Sequence, residues 1–283
     1  MYQIDANIIS KKQISEKHFL ITFSAEKIAN EAKPGQFVMI KIDIEKTFLR
    51  RPFSICSASE KTFNILFKVV GIGTEILSQK KAGDTLNIIG PLGTGYRLPI
   101  TDYRLPILVA GGTGVASLLF LAQFLSPSVP QSLVFIGAKT KKDVLFANEF
   151  KKLGCKVIVS TEDGSYGAKG LVSNIFSRHV STYQLINSSP VVYACGPKGM
   201  LKKIAEISKE HRIKCFVSLE EKMACGLGAC IGCVVKIRTI GRDKKNTRTV
   251  GTDKFEYKRV CKDGPVFAAE KIIWQPNSSF LEF

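Results

Sequence analysis

Three cysteines crowd into the stretch Cys225-Gly-Leu-Gly-Ala-Cys230-Ile-Gly-Cys233, and a fourth, Cys261, follows well downstream. The spacing C-x4-C-x2-C plus one remote cysteine is the ligand run of a [2Fe–2S] cluster held by four thiolates. Thiolates this close in sequence reach one small cluster only if the loop wraps it tightly. Gly226, Gly228 and Gly232 offer the positive φ angles and close approach that such wrapping needs. They also let backbone N–H groups point at the sulfurs, offsetting negative charge and tuning the potential. A four-cysteine zinc site is the competing reading, but zinc favours paired CxxC-like knuckles and only one short pair exists here.

Two further stretches carry anion-binding chemistry. Arg51-Pro52-Phe53-Ser54 is followed, after Lys68, by Gly71-Ile72-Gly73-Thr74. Gly73 and Thr74 open an expected helix over 74–81, where backbone N–H groups and a hydroxyl suit a diphosphate. Arg51 adds a charge-assisted bond to the same phosphates, and Phe53 can flank a flat ring. Each is weak alone, since Arg-Pro is common and the glycine pair could be only a turn and a cap. Beside the cysteine run they read as a flavin site. Gly111-Gly112-Thr113-Gly114 follows an apolar strand and opens a helix, so its amides can cradle a dinucleotide diphosphate. It departs from GxGxxG, the third position being Ser117, and alone it is as readily a tight βα turn. In a flavin-reducing context it reads as a nicotinamide dinucleotide site.

Other chemistry-bearing residues get plainer readings. Cys195-Gly196-Pro197 ends a strand at the carboxyl edge of a sheet, where ligands bind, although a buried thiol is equally consistent. Cys56, Cys155 and Cys215 lie in strand-like segments and are expected in the core. His18, His179 and His211 have no partner spacing and are expected to be solvated. Glu220 and Glu221 read as a capping or surface pair. No Ser/His/Asp or paired-carboxylate arrangement emerges, and cofactor-borne redox chemistry requires none.

Residues 1–98 read as short strands with turn punctuation, among them 19–23, 36–42, 53–57 and 62–70. Strands at this spacing predict a small antiparallel barrel. From about Arg104, strands at 107–110, 133–136, 156–160 and 191–194 alternate with helices through Leu125 and at 143–153, 171–178 and 199–211. That alternation predicts a parallel sheet with helices on both faces, spanning 99–217. A strand at 215–219 leads into a small module over 218–283 that is expected to need its metal to fold. The polar, basic stretch 238–254 reads as a mobile excursion between the third and fourth cysteines.

The 283 residues, 45% of them hydrophobic, are enough for two or three compact domains. No signal peptide is expected from the first residues, and the most apolar stretch, 115–125, contains Ser117 and Gln123 and is too short to span a bilayer. Eight cysteines, four in ligand spacing, fit a reducing cytoplasm better than a disulfide framework. Lys and Arg number 41 against 24 Asp and Glu, a net charge of +17. Apart from a cluster between Lys236 and Lys262 the lysines are scattered and no recognised binding motif accompanies them, so neither nucleic acid nor membrane is expected as a partner.

Taken along the chain, RPFS (51–54), GIGT (71–74), GPLGTGY (90–96), AGGTGVA (110–116), EDGSYGAKG (162–170), YACGP (193–197), SLEEKMACGLGACIGC (218–233) and VCKDGPVF (260–267) carry a resemblance to the ferredoxin–NADP+ reductase superfamily. Within it the chain resembles most the electron-transfer subunits of NAD-dependent, type B, dihydroorotate dehydrogenases. The resemblance implies an antiparallel Greek-key FAD-binding barrel, a doubly wound parallel-sheet domain for NAD(H) and a C-terminal [2Fe–2S] module. FAD contacts would be Arg51, Pro52, Phe53, Ser54, Leu66, Phe67, Lys68, Gly73 and Thr74. NAD contacts would be Gly111, Gly112, Thr113, Gly114, Cys195, Gly196 and Pro197, with Cys195 beside the nicotinamide. Cluster ligands would be Cys225, Cys230, Cys233 and Cys261. The implied partner is an FMN-containing dihydroorotate dehydrogenase catalytic subunit, two of each chain forming a heterotetramer in cytoplasmic pyrimidine biosynthesis. The basic stretch after Cys233 is longer than the resemblance leads one to expect. The rivals are an NAD(P)H:ferredoxin-type reductase subunit of another redox complex, in whose close relatives Asp is expected where Cys225 stands, and, from another class, a zinc-stabilised basic nucleic-acid-binding protein. NAD and NADP are not separated, because Lys139, Lys141 and Lys142 suit a 2′-phosphate or plain solvation.

Overall fold

The computed structural model describes residues 1–42, 45, 47–97, 105–126, 132–182, 189–239 and 255–274. The expected change of texture at Arg104 and the stretch 240–254 lie outside them. The first module is built from β1 (Tyr2–Ser15), β2 (His18–Ser24), α1 (Glu26–Glu31), β3 (Phe37–Lys41), β4 (Arg51–Ala58), β5 (Thr62–Lys68), α2 (Ile72–Gln79) and β6 (Thr85–Leu92). Its strands close as an antiparallel barrel in the order β1-β2-β5-β4-β3-β6, leaving no free edge. Alternate residues, among them Ile8, Ile21, Phe23, Ile55, Phe63 and Ile65, fill the interior. The sequence pattern misses β1 because only Ala6 and Ile8 along it are fully buried, too sparse an alternation to register.

Helix α2 begins two residues earlier than expected, with Gly71 as its N-cap, so Thr74 sits inside the first turn. The Thr74 hydroxyl accepts from the N–H groups of Val70 (2.9 Å) and Gly71 (3.2 Å) and donates to the Gly71 carbonyl (2.9 Å). It braces the turn as well as facing the cavity described below.

The second module comprises β7 (Pro106–Gly111), α3 (Val115–Leu125), β8 (Leu133–Ala138), α4 (Ala147–Lys152), β9 (Lys156–Thr161), β10 (Ala168–Lys169), α5 (Val172–Thr182), β11 (Val191–Cys195), α6 (Lys198–Glu210) and β12 (Lys214–Ser218). All residues of β7 and β11 are buried, as central parallel strands covered on both faces must be. Helix α4 is shorter than expected because Phe146 adopts a left-handed φ of 58° and interrupts the run. Helix α3 is apolar all round because it is sandwiched: it packs on β7 and β11 and also against β4, with Phe120 inserted in the barrel core.

The third module holds a hairpin of β13 (Val234–Arg238) and β14 (Phe255–Arg259), a one-turn helix α7 (Val260–Asp263) and β15 (Val266–Ala268). Strand β15 pairs antiparallel with β12, completing a seven-stranded sheet in the order β10-β9-β8-β7-β11-β12-β15. One hydrophobic cluster joins Phe37 and Met39 of β3, Val109 and Val217 of the sheet, and Cys233, Ile237 and Cys261 of the third module. Strand β3 therefore has two buried faces, Val38 and Ile40 into the barrel and Phe37 and Met39 outward into this shared core. The three modules are packed as one body.

His18 corrects its solvated reading. It is 3% exposed, with Nδ1 2.7 Å from the Ser15 hydroxyl, and burial, aided by Lys68, lowers its pKa against the opposing pull of Asp143. His179 is half-buried against the Phe135 ring, while His211 is exposed.

Candidate functional site

A cavity of about 570 Å3 opens on the barrel face. It is lined by Arg51, Pro52, Phe53 and Ser54 at the start of β4, by Leu66, Phe67 and Lys68 at the end of β5, and by Thr74. Gly73 stands at its edge, since a Cβ there would lie 3.4 Å from Arg51 Nε. An arginine beside a glycine-opened helix turn has the chemistry to hold a diphosphate, and the adjoining strand side chains offer an apolar slot that a ring system could enter. The opposite wall comes from elsewhere: Thr113 and Ala116 at the start of α3, and the segment Ser218–Met223 after β12. The barrel motifs give no hint of that wall.

A second cavity, about 740 Å3, runs along the carboxyl edge of the parallel sheet. Gly111, Gly112 and Thr113 lie in it, with Gly196 and Pro197 across from them. Gly112 has φ +53°, and a Cβ there would meet nothing within 4 Å, so it would project into free space. Gly114 is required for packing instead: a Cβ would lie 2.2 Å from the Cys195 carbonyl oxygen, so only glycine lets α3 start this close to β11. Cys195 itself is 2% exposed and outside the cavity lining, behind Gly196 and Pro197. Burial, then the nearby Glu220 charge, push its thiol well up against a Ser218 hydrogen bond, so it stays protonated. It buttresses the wall.

Glu220 is exposed, as its surface reading expects, but the surface it lies on is that of the two cavities. It lines both cavities, standing where they meet. The protein walls of the two cavities partly desolvate its carboxylate, which raises its pKa. Behind it lies a buried polar cluster. Tyr96 Oη is 3.0 Å from the Ser117 hydroxyl, and burial drives the Tyr96 pKa well up. Next to Glu220, Glu221 pairs with Lys198 at 3.7 Å and ties the third module to the start of α6.

The four remaining thiols gather beside the first cavity. Cys233 and Cys261 are buried, Cys225 is half-buried and Cys230 is exposed. The Cys261 N–H donates to Cys233 Sγ at 3.4 Å, and the Leu227 N–H to Cys225 Sγ at 3.3 Å. Desolvation raises Cys225, but N–H donors from Cys230 and Leu227 and the Cys230 thiol outweigh it and bring the group to about 6. Cys261 is pushed up to about 12 by burial and by the Cys233 thiol hydrogen-bonded to it. The thiols thus stand as two pairs, 225 with 230 and 233 with 261. Among the described residues no three His, Cys, Asp or Glu side chains converge as ligands of one ion. Two thiol pairs with N–H groups aimed at sulfur fit a two-iron cluster with two thiolates per iron.

The loop is held in place by a latch. Arg259 donates to the Gly228 carbonyl (2.9 Å) and to Asp263 (3.1 Å). Gly226 and Gly228 take positive φ as expected, but Gly232 does not; Ile231, at φ 49°, takes the left-handed position and leaves its side chain 67% exposed. A Cβ on Gly226 would lie 2.5 Å from Met39 Cγ, so the loop rests directly on β3, whose Met39 pairs with Pro52 of the first cavity.

Fold and site together define a flavin-dependent oxidoreductase of the ferredoxin-reductase type with an added iron–sulfur module. Comparison agrees module by module. Residues 5–96 match the family described as oxidoreductase FAD-binding domain, 108–206 the oxidoreductase NAD-binding domain, and 220–273 the iron-sulfur cluster binding domain of dihydroorotate dehydrogenase B. The chain is 41% identical over 273 residues to the dihydroorotate dehydrogenase B (NAD(+)) electron transfer subunit of Caldanaerobacter subterraneus subsp. tengcongensis, covering 96% of this chain and 99% of that one. It is 37% identical to the same subunit of Desulforamulus reducens, covering 96% and 98%. A solved NADH-dependent reduced ferredoxin-NADP oxidoreductase superposes with a TM-score of 0.79 at 30% identity, covering 96% of this chain and 90% of that one. The chain belongs to the family of dihydroorotate dehydrogenase B (NAD(+)) electron transfer subunits.

Proposed function

We propose that this chain carries electrons between a partner catalytic subunit and NAD+, the partner being an FMN-containing subunit that oxidises dihydroorotate to orotate in pyrimidine biosynthesis. The observation that supports it most is the composition of the first cavity. Its walls come from the barrel, from the start of α3 and from the segment leading to Cys225, so one cavity adjoins the dinucleotide trough and the thiol loop at once. When bound, FAD supplies two-electron exchange with NAD(H) and one-electron exchange with a [2Fe–2S] cluster. Arg51 and the α2 turn would hold the flavin diphosphate, and Phe53, Leu66 and Phe67 would shield its ring from water. Gly111, Gly112 and Thr113 would hold the dinucleotide diphosphate, with Gly196 and Pro197 positioning the nicotinamide against the flavin cavity. Glu220, with its raised pKa, can hold a proton where the two cavities meet. Cys225, Cys230, Cys233 and Cys261 would ligate the cluster.

Leu227, Ala229 and Ile231 form an exposed apolar rim on the thiol loop, suited to being covered by the partner. An assembly of two such chains with two catalytic subunits follows the family resemblance, and eight free thiols suit a reducing cytoplasm. The test is reconstitution. The purified chain should pass electrons from NADH to an artificial acceptor yet leave dihydroorotate untouched, and adding the FMN subunit should confer dihydroorotate-dependent NAD+ reduction. Leu227→Glu or Ile231→Glu should abolish only the second activity. Dihydroorotate turnover by the single chain would overturn the assignment, and full complex activity in the charged variants would overturn the docking rim.

A further inference from the structure

The dinucleotide trough has a direction. Gly196, Pro197 and Glu220 lie toward the flavin cavity, the glycine turn lies between, and the other arm crosses the ends of β8 and β9 to the start of α5. With the diphosphate on the glycine turn and the nicotinamide toward the flavin, the adenosine half occupies that far arm. Its side chains decide whether the ribose bears a free 2′-hydroxyl or a 2′-phosphate. A carboxylate accepts a hydrogen bond from the hydroxyl and repels the phosphate, whereas a basic cluster does the reverse.

The three lysines that suit a 2′-phosphate do not act together. The Lys141 ammonium lies over the Tyr166 ring, 5.9 Å from its centroid. Lys142 faces a separate cavity under the β1–β2 turn, with Ser15 and Lys17. Of these three, Lys139 alone lines the trough. Two further lysines line the trough away from the adenosine arm: Lys68, at the end of β5, also lines the flavin cavity, and Lys203, on α6 beyond β11, pairs with Glu206 at 3.7 Å.

Two acids end β9. Asp163 is committed to its own turn, its Oδ1 accepting from the Ser165 N–H (3.0 Å) and hydroxyl (2.7 Å). Glu162 lines the trough, and its N–H is fastened to the Ala138 carbonyl of β8 at 3.1 Å. Its carboxylate has no hydrogen bond or ion pair among the described residues. The usual place for a ribose-binding acid is the end of the strand beside the glycine turn, which is β8. Lys139 follows that strand here, and the acid comes from one strand further out. Lys139 and Glu162 together leave the arm with no net positive charge for a dianionic phosphate.

We propose that Glu162 is the residue that selects NAD over NADP in this chain, by accepting a hydrogen bond from the adenine ribose and repelling a 2′-phosphate. The proposal rests on the dinucleotide reading of the trough. The test uses the full FAD-loaded chain, comparing kcat/KM for NADH and NADPH with an artificial electron acceptor, alongside calorimetric binding of ADP and 2′,5′-ADP. Wild type should favour NADH and ADP. Glu162→Gln should cut the NADH:NADPH ratio by about tenfold or more, and Glu162→Lys should cut it further, with FAD content unchanged and 2′,5′-ADP binding tightened in parallel. Lys139→Ala should leave NADH preferred. Unchanged ratios in both Glu162 variants would overturn the assignment while the dinucleotide site stood. Failure of the wild type to bind or oxidise either dinucleotide would instead overturn the reading of the trough itself.

Discussion

Gly226→Ala isolates the contact on which the thiol loop depends. Gly226 has φ +71°, a conformation that costs an L-residue about 1–2 kcal/mol. The new Cβ would also lie 2.5 Å from Met39 Cγ, 2.9 Å from Sδ and 3.1 Å from Cε. Met39 has little room to yield, being fully buried, with its backbone paired to Pro52 on one side and Ile89 on the other. Overpacking of this kind costs about 1–3 kcal/mol more. The two penalties together come to about 2–5 kcal/mol, and even the lower figure shifts the loop's closed-to-open ratio by roughly thirtyfold. The variant should therefore lose most of its iron and sulfide and its visible circular dichroism while keeping FAD, whose proposed contacts lie in the barrel. Met39→Ala in the same chain removes the clash but not the backbone penalty. The double variant should accordingly show a favourable coupling of about 1–3 kcal/mol in thermal or chemical unfolding. Full iron and sulfide content with unchanged unfolding in Gly226→Ala would refute the reasoning, and so would zero coupling in the cycle.

Cys261→Ser should bleach the iron–sulfur absorbance and destabilise the third module while sparing most of the FAD; unchanged iron and sulfide would remove Cys261 from the ligand set. Arg51→Ala should lower FAD occupancy through the loss of a charge-assisted bond worth about 1.5–3 kcal/mol, read as a weaker FAD dissociation constant with the cluster intact. Glu220 has a folded pKa raised by desolvation, so its contribution to stability is fully present below the ordinary carboxylate pKa and is lost as pH rises through the raised value. Glu220→Gln should therefore melt progressively higher relative to wild type as pH climbs from acidic to neutral; parallel melting curves at every pH would count against the raised pKa.

Short-range patterns in the chain already determined a good deal. The cysteine spacing, the strands from β2 to β5 and the glycine turn between β7 and α3 all follow from residues a few positions apart, whose side-chain alternation or backbone freedom acts locally. The barrel motif residues fall in one cavity because two neighbouring strand ends and the following turn present them together. What only the tertiary structure decided depends on how the modules pack. Strand β15 has three residues and no pattern of its own, and it exists because β12 offers an edge to pair with. Met39 reads as another barrel residue until the third module lays Gly226 against it. Glu220 reads as a surface acid and is one, but only the packing of the modules puts that surface where two cavities meet. His18 is buried because the β1–β2 turn abuts the segment around Asp143, and Ile231 rather than Gly232 takes the left-handed turn within the folded loop. At the far arm of the trough, three lysines look alike in sequence; the fold turns two of them elsewhere and brings in an acid from the next strand. Contacts between distant segments leave no local periodicity, so their consequences became visible only once the chain had folded on itself.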